Sequence, residues 1–237
     1  MIYKIAGLKI QINNKYKFTE HFCEKYLTDE TTCDLIADVT DEEFEKEKLA
    51  SKDFSDGYVE NICLYRSICR QLPDFDRFLL HAAILEYDGK AYAFLGHSGA
   101  GKSTHTSLWL KFVQGSKIIN GDKPIIEYNG GKFIAYGTPW NGKENRGYNG
   151  NAEIAGLCFI EQAKENRIEK LSIAETANRI FTQVLLPTDE SNAVKTLELI
   201  DKLVRSVPSY VLYCDVSEDA VKTSYEALVG KNYRRNI

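Results

Sequence analysis

No apolar run in this chain approaches the roughly 20 residues that a helix needs to cross a bilayer, so the sequence offers no membrane-spanning helix. The opening stretch, Met1-Ile2-Tyr3-Lys4-Ile5-Ala6-Gly7-Leu8, lacks the order of regions of a signal peptide, and the expected location is the cytoplasm. The six cysteines (Cys23, Cys33, Cys63, Cys69, Cys158, Cys214) show neither CxxC spacing nor a pairing pattern with histidines, so free thiols are expected rather than a zinc site or a disulfide framework. There is no excess of positive charge. A net charge of −4 gives no electrostatic reason to expect nucleic acid or an anionic membrane as partner. Internal repeats and low-complexity tracts are missing as well. What remains is 237 residues with 43% hydrophobic content, enough to bury the core of one large domain, or of one domain with a small appendage.

Against this background one stretch stands out: Gly96-His97-Ser98-Gly99-Ala100-Gly101-Lys102-Ser103-Thr104 fits the phosphate-binding pattern GxxxxGK[ST] (the Walker A motif, or P-loop) at every required position. Glycines let successive backbone N–H groups turn toward phosphate oxygens, and the following helix presents its unpaired amides and positive dipole end. In that chemistry Lys102 reaches the terminal phosphates and Ser103 ligates Mg²⁺. The flanks agree with the motif. Residues 91–95 form a short apolar run of strand length, and Leu108, Trp109, Phe112 and Val113 recur at helical spacing until Gly115.

Residues 1–75 read as an α+β appendage, with a strand over 3–12 and helical patterns over 41–51 and 57–71. The charge-dense segment 41–48 reads as a solvated helix face. Pro73 ends the second helix, and residues 76–237 read as a nucleotide-binding domain. There, a strand over 78–87 turns through Asp88-Gly89 into the strand before the P-loop. A strand over 117–128 turns through Asn129-Gly130-Gly131 into 132–136. The polar stretch 137–151, with Trp140, Lys143 and Arg146, is a candidate substrate loop. Beyond it the pattern gives a strand over 154–160, helices over 173–186 and 191–204, a strand over 210–214 and a helix over 218–228.

Phosphoryl transfer also requires a carboxylate near the phosphates. Two acids follow apolar strands: Asp122, in Ile118-Ile119-Asn120-Gly121-Asp122-Lys123, and Glu161, which ends Leu157-Cys158-Phe159-Ile160-Glu161. The residues alone leave both open.

The order of His81 on a strand, the GxSGxGKST loop, Asn120-Gly121-Asp122 and then Gly137-Thr138-Pro139-Trp140 resembles the HPr kinase/phosphorylase-like group over roughly residues 76–230. That group shares its core with ATP-type phosphoenolpyruvate carboxykinases. The resemblance implies an α/β fold, a mixed sheet flanked by helices around a P-loop core. It further implies that Asp122 matches the second of two adjacent aspartates, acting as base toward an acceptor hydroxyl, and that His81 neighbours the phosphates. Gly121 stands where the first aspartate usually is. Thr104 stands where HPr kinases proper carry glutamate, a version more similar to kinase homologues encoded with peptide-modification systems. Homo-oligomers occur in the group, but no residue pattern here marks an interface.

The expected activity is thus transfer of the γ-phosphoryl of ATP to a hydroxyl of a peptide, protein or small molecule. The cradle is Gly96, Ser98, Gly99, Ala100, Gly101, Lys102, Ser103 and Thr104; Lys102, Asp122 and His81 carry the chemistry; Ser103 and Asp122 hold Mg²⁺. Two other readings stay open. One is a non-catalytic ATP-binding sensor that orders the loop after Trp140 for a partner; the other is an NTP hydrolase using Glu161.

Overall fold

The computed structural model describes residues 1–234. Its first element is a hairpin, β1 (Ile2–Ile5) with β2 (Leu8–Ile12), where the sequence pattern predicts a single strand. The break falls at Ala6-Gly7, both at positive φ (51° and 78°), a two-residue turn whose twist suits antiparallel neighbours. Helix α1 (Lys17–Cys23) follows, and β3 (Leu35–Ala37) pairs parallel to β2, completing a three-stranded sheet. Helix α2 (Asp41–Ala50) begins with a reciprocal capping box between Thr40 and Glu43 and buries Glu47 alone among its residues. Ser55 caps the long helix α3 (Asp56–Gln71), whose Leu64 and Ile68 are fully buried.

The remaining elements are β4 (Arg77–Leu79), β5 (Ala83–Tyr87), β6 (Lys90–Leu95), α4 (Lys102–Phe112), β7 (Lys117–Asn120), β8 (Ile125–Asn129), β9 (Lys132–Tyr136) and β10 (Asn151–Gln162). After them come β11 (Arg167–Lys170), α5 (Ile173–Ile180), α6 (Glu190–Ser206), β12 (Ser209–Cys214) and α7 (Glu218–Val229). Nine strands form one mixed sheet in the order β4-β8-β9-β10-β6-β5-β7, with β12 also on β10 and β11 on β12. Strands β6, β10 and β12 run parallel, and the other pairings are antiparallel. Strand β10 organises this sheet: Asn151–Glu153 pair with β9, and Leu157–Gln162 pair with β12.

Two expected strands are each broken in two, and both breaks lie at the site described below. Residues 78–87 divide because Phe78 and Leu79 pair with β8, whereas Ala83 onward pairs with β6. Between them the backbone N–H groups of Leu80, His81 and Ala82 donate to Pro124, Gln183 and Asp122 (3.2, 2.7 and 3.1 Å). Residues 117–128 divide at Gly121–Pro124, where Asn120 folds the chain into a turn. The helix expected over 173–186 ends at Ile180, followed by a single 3₁₀ turn, Phe181–Gln183. Strand β11, strand β3 and helix α1 were not anticipated from the pattern.

Side chains pack in three groups. On one face Phe78, Leu95, Phe133 and Phe159 meet Leu199 and Leu203 of α6. On the other, Phe94, Tyr92 and Cys158 meet Trp109 of α4 and Val221 and Tyr225 of α7. The third holds Tyr3, Ile5, Ile10, Leu64 and Ile68 together with Leu79, Ile125 and Trp140, so the N-terminal layer shares its core with the large sheet. Each such fully buried large side chain contributes about 1.5–3 kcal/mol. All six cysteines are free thiols.

Candidate functional site

Strand β6 delivers the chain to Gly96 (φ 147°), and the loop then passes through Gly99 (83°) and Gly101 (105°) into α4. These values lie where side-chain-bearing residues are strained. Gly96 is also closely approached: a Cβ there would stand 2.9 Å from Ala100 Cβ and 3.2 Å from the Ile160 carbonyl. No side chain caps the start of α4, so its first amides are left to solvent or a ligand. Lys102 bends back over its own loop, donating to the carbonyls of Gly96 (2.8 Å) and His97 (3.3 Å). Burial lowers its pKa, and the charge of Asp122 works in the opposite direction. Ser98, Ser103 and Thr104 are exposed, while Ala100 is buried. Gln162, at the end of β10, donates its amide to the Gly99 carbonyl (2.9 Å) and braces the loop from the side.

Asp122 owes its place to Asn120. The Asn120 Oδ1 accepts the backbone N–H groups of Asp122 (2.9 Å) and Lys123 (2.7 Å). Its Nδ2 donates to Thr138 Oγ1 (3.0 Å) and to the Thr138 carbonyl (3.3 Å), anchoring the turn to the loop after β9. Each carboxylate oxygen of Asp122 then meets a basic group, Oδ1 with His81 Nε2 at 3.1 Å and Oδ2 with Lys123 Nζ at 2.6 Å. Burial alone would raise this carboxyl, but the hydrogen bonds and charges of His81 and Lys123 outweigh it and hold the pKa at about 2.

The loop over residues 137–150 closes on this turn. Asn141 Oδ1 accepts the N–H of Gly121 at 2.7 Å, and a Cβ on Gly121 would stand 2.8 Å from the Asn141 carbonyl. Glycine at 121 therefore follows from the close approach of Asn141, and an aspartate there would collide with it. Arg146 donates to Ser107 Oγ of α4 (2.8 Å) and lies 3.3 Å from Glu144, and Lys143 is exposed. Trp140, expected as part of a substrate-binding loop, is instead buried, its ring centroid 5.0 Å from that of Tyr65 of α3. Among the described residues its Nε1 has no hydrogen-bond partner. Glu161 is ion-paired with Arg179 of α5 at 2.5 Å.

Of the other histidines near the loop, His97 is exposed, its Nδ1 2.7 Å from the Ser98 carbonyl. His105 is buried in α4 against Ser224 of α7 (2.9 Å). Sequence reasoning missed Asn120, Lys123, Asn141 and Gln162. Only Asn120 carried a local signal, since asparagine before Gly-Asp is a turn former; the others act across 20 residues or more, or become visible once the turn is built.

Among the described residues no three His, Cys, Asp or Glu side chains cluster to hold a metal, and no helix is long and apolar enough to cross a membrane. An exposed hydroxyl at Ser103 and the carboxylate of Asp122, which acts on Lys102, would suit an Mg²⁺ that keeps most of its water rather than one caged by protein.

No family model matches the chain, and no curated protein does. Among solved structures, the Hpr(Ser) kinase/phosphatase from Coxiella burnetii aligns with 54% of this chain and 93% of its own, at 15% identity and a TM-score of 0.31. A match at that level transfers no residue roles from one chain to the other.

Proposed function

We propose that this chain binds a nucleoside triphosphate, ATP with Mg²⁺, on the loop Gly96–Thr104 and transfers its terminal phosphoryl group to a hydroxyl acceptor. The observation that carries the reading is the loop itself: three glycines at positive φ lead into a helix with an uncapped first turn that holds Lys102, and the charge of Asp122, set in a separate turn, acts on that lysine. Lys102 now bonds its own loop carbonyls, and those two acceptors are weak enough to yield it to phosphate oxygens. Backbone amides at Gly99 to Ser103 and the start of α4 would supply the rest of the cradle. Ser103 and Asp122 would hold Mg²⁺, which when bound neutralises charge on the transferring group.

Asp122 would accept the acceptor hydroxyl's proton. A carboxylate held at about pKa 2 is a weak base, so the proton reaches it as the new P–O bond forms rather than beforehand. His81 and Lys123 orient its two oxygens. Residues 1–75 enter as an appendage that shapes the acceptor side: Tyr65 packs on Trp140, and Lys123 lies 5.9 Å from the Tyr65 ring. A peptide or protein serine, or a small-molecule alcohol, would fit this side, and location in the cytoplasm would supply the ATP.

A second reading, an ATP-dependent sensor without transfer, draws support from the engagement of both Asp122 oxygens by basic groups. The hydrolase reading draws less, because Glu161 is tied to Arg179. The deciding experiment incubates the protein and its Asp122→Asn variant with γ-labelled ATP, Mg²⁺ and a fractionated cell extract. Label that enters a protein, peptide or small-molecule fraction only with the unaltered protein supports the kinase. Bound ATP with no label in any fraction supports the sensor.

A further inference from the structure

The ion pair between Glu161 and Arg179 joins α5 to the end of strand β10, and the proposed transfer gives it no role. Glu161 follows Ile160, whose carbonyl lies against Gly96, and precedes Gln162, whose amide holds the Gly99 carbonyl. Arg179 belongs to α5, and the same segment, one turn on, offers the Gln183 carbonyl to the backbone N–H of His81 (2.7 Å). Strand β10 thus touches the phosphate loop, the segment after α5 touches the residue that orients Asp122, and the Arg179–Glu161 pair ties α5 to β10.

The pair itself is poorly suited to a purely structural role. Both side chains are well exposed, 34% for Arg179 and 40% for Glu161. Ion pairs of that exposure contribute about 0–1 kcal/mol to stability. The guanidinium also lies 5.9 Å from the Phe159 ring, which backs it without neutralising it. A planar fork of donors at this position matches two oxygens of a phosphoryl group better than it matches a single carboxylate oxygen.

We infer that Arg179 is a phosphate-contacting residue that engages the terminal phosphoryl group of the bound nucleotide, and that Glu161 holds it at the rim until the nucleotide arrives. This rests on the nucleotide-binding reading. The incoming triphosphate brings more negative charge than Glu161 offers, and the guanidinium exchanges one anionic partner for another. A nucleoside diphosphate, lacking that group, leaves the pair in place.

The test is calorimetric titration of the full chain with Mg-ADP and with the Mg complex of the β,γ-imido analogue of ATP. It compares the unaltered protein, Arg179→Gln, Arg179→Lys and Glu161→Gln. Arg179→Gln is expected to weaken the triphosphate analogue about tenfold while ADP changes less than about twofold, in line with the loss of hydrogen bonds to a charged group. Arg179→Lys recovers part of the loss, and Glu161→Gln binds the analogue at least as tightly as the unaltered protein. ADP binding serves as the check that each variant is folded. Equal weakening of both nucleotides by Arg179→Gln, or no change in either, overturns the role of Arg179 while nucleotide binding stands. An unaltered protein that binds neither nucleotide overturns the nucleotide reading, and this inference with it.

Discussion

Asn120 holds Asp122 through the backbone: one side-chain oxygen accepts the N–H of Asp122 at 2.9 Å and that of Lys123 at 2.7 Å, while the amide nitrogen of the same side chain reaches Thr138. Asn120 is fully buried, so none of these groups would find water if it were removed. Asn120→Ala should lower stability by about 2–4 kcal/mol, since each orphaned buried group costs about 1–3 kcal/mol. Asn120→Asp keeps the acceptor and loses the donor, and should fall between. Urea midpoints for the three proteins check the order.

Gly121 invites the opposite experiment, placing a further acid directly ahead of Asp122. Gly121→Asp should destabilise by about 1–3 kcal/mol, as over-packing does, because its Cβ meets the Asn141 carbonyl. The expected signature is faster proteolysis within residues 141–150 rather than gain of a metal site. Unchanged proteolysis together with tighter Mg²⁺ binding would contradict it.

His105 gives a pH dependence with a definite sign. Ser224 Oγ donates to the Val221 carbonyl (3.0 Å) and receives the Trp109 Nε1–H (2.9 Å). His105 Nε2 meets both Ser224 Oγ (2.9 Å) and the Trp109 indole N–H (3.2 Å), and among the described residues Nδ1 has no partner, so a doubly protonated ring would leave an N–H without an acceptor. Burial lowers the folded-state pKa from 6.5 to about 4. Between these values the unfolded chain binds the proton and the folded chain does not, so stability falls as pH drops from about 6.5 toward 4, in total by roughly 3 kcal/mol. Asp122, with its pKa near 2 against 3.8, loses its contribution only below that window. Denaturant midpoints at pH 7, 5.5 and 4.5, compared with His105→Gln, should show the slope in the unaltered protein and its loss in the variant.

Trp140 distinguishes packing from ligand contact. Trp140→Ala should cost about 3–5 kcal/mol, the usual range for an aromatic removed from a core. Trp140→Phe should cost far less, because it also removes an N–H that has no partner among the described residues. ADP affinity measured on the phenylalanine variant should match the unaltered protein; a large loss there would give the indole a role in binding.

The parts of the fold legible in the sequence are those specified locally. The glycine loop, the strand and helix on either side of it, α3 and the Asp88-Gly89 hairpin depend on residues within one or two turns of each other. The parts that were not legible depend on distant partners. A continuous apolar stretch over 117–128 carries no mark that Asn120 will reach Thr138, yet that contact breaks the strand and sets Asp122 in a turn. Residues 78–87 similarly read as one strand until two different neighbours claim its ends. For the candidate site, Lys102, Asp122 and His81 were within reach of motif reasoning. The burial of Trp140 was not, since an aromatic after proline has no local signal that a tyrosine in α3 will cover it.

Strand β10 serves two neighbours in succession along one side, β9 with its first residues and β12 with its last, while β6 lies along the other. The chain enters it from the exposed stretch 142–146. A nick in that stretch would leave two fragments, one ending after β9 and the other beginning before β10, and each would carry an unpaired sheet edge that only the other fills. The two pieces should therefore find each other again, with Asp122 and the glycine loop on one and Gln162 and Arg179 on the other, so that the complete site exists only in the rejoined pair.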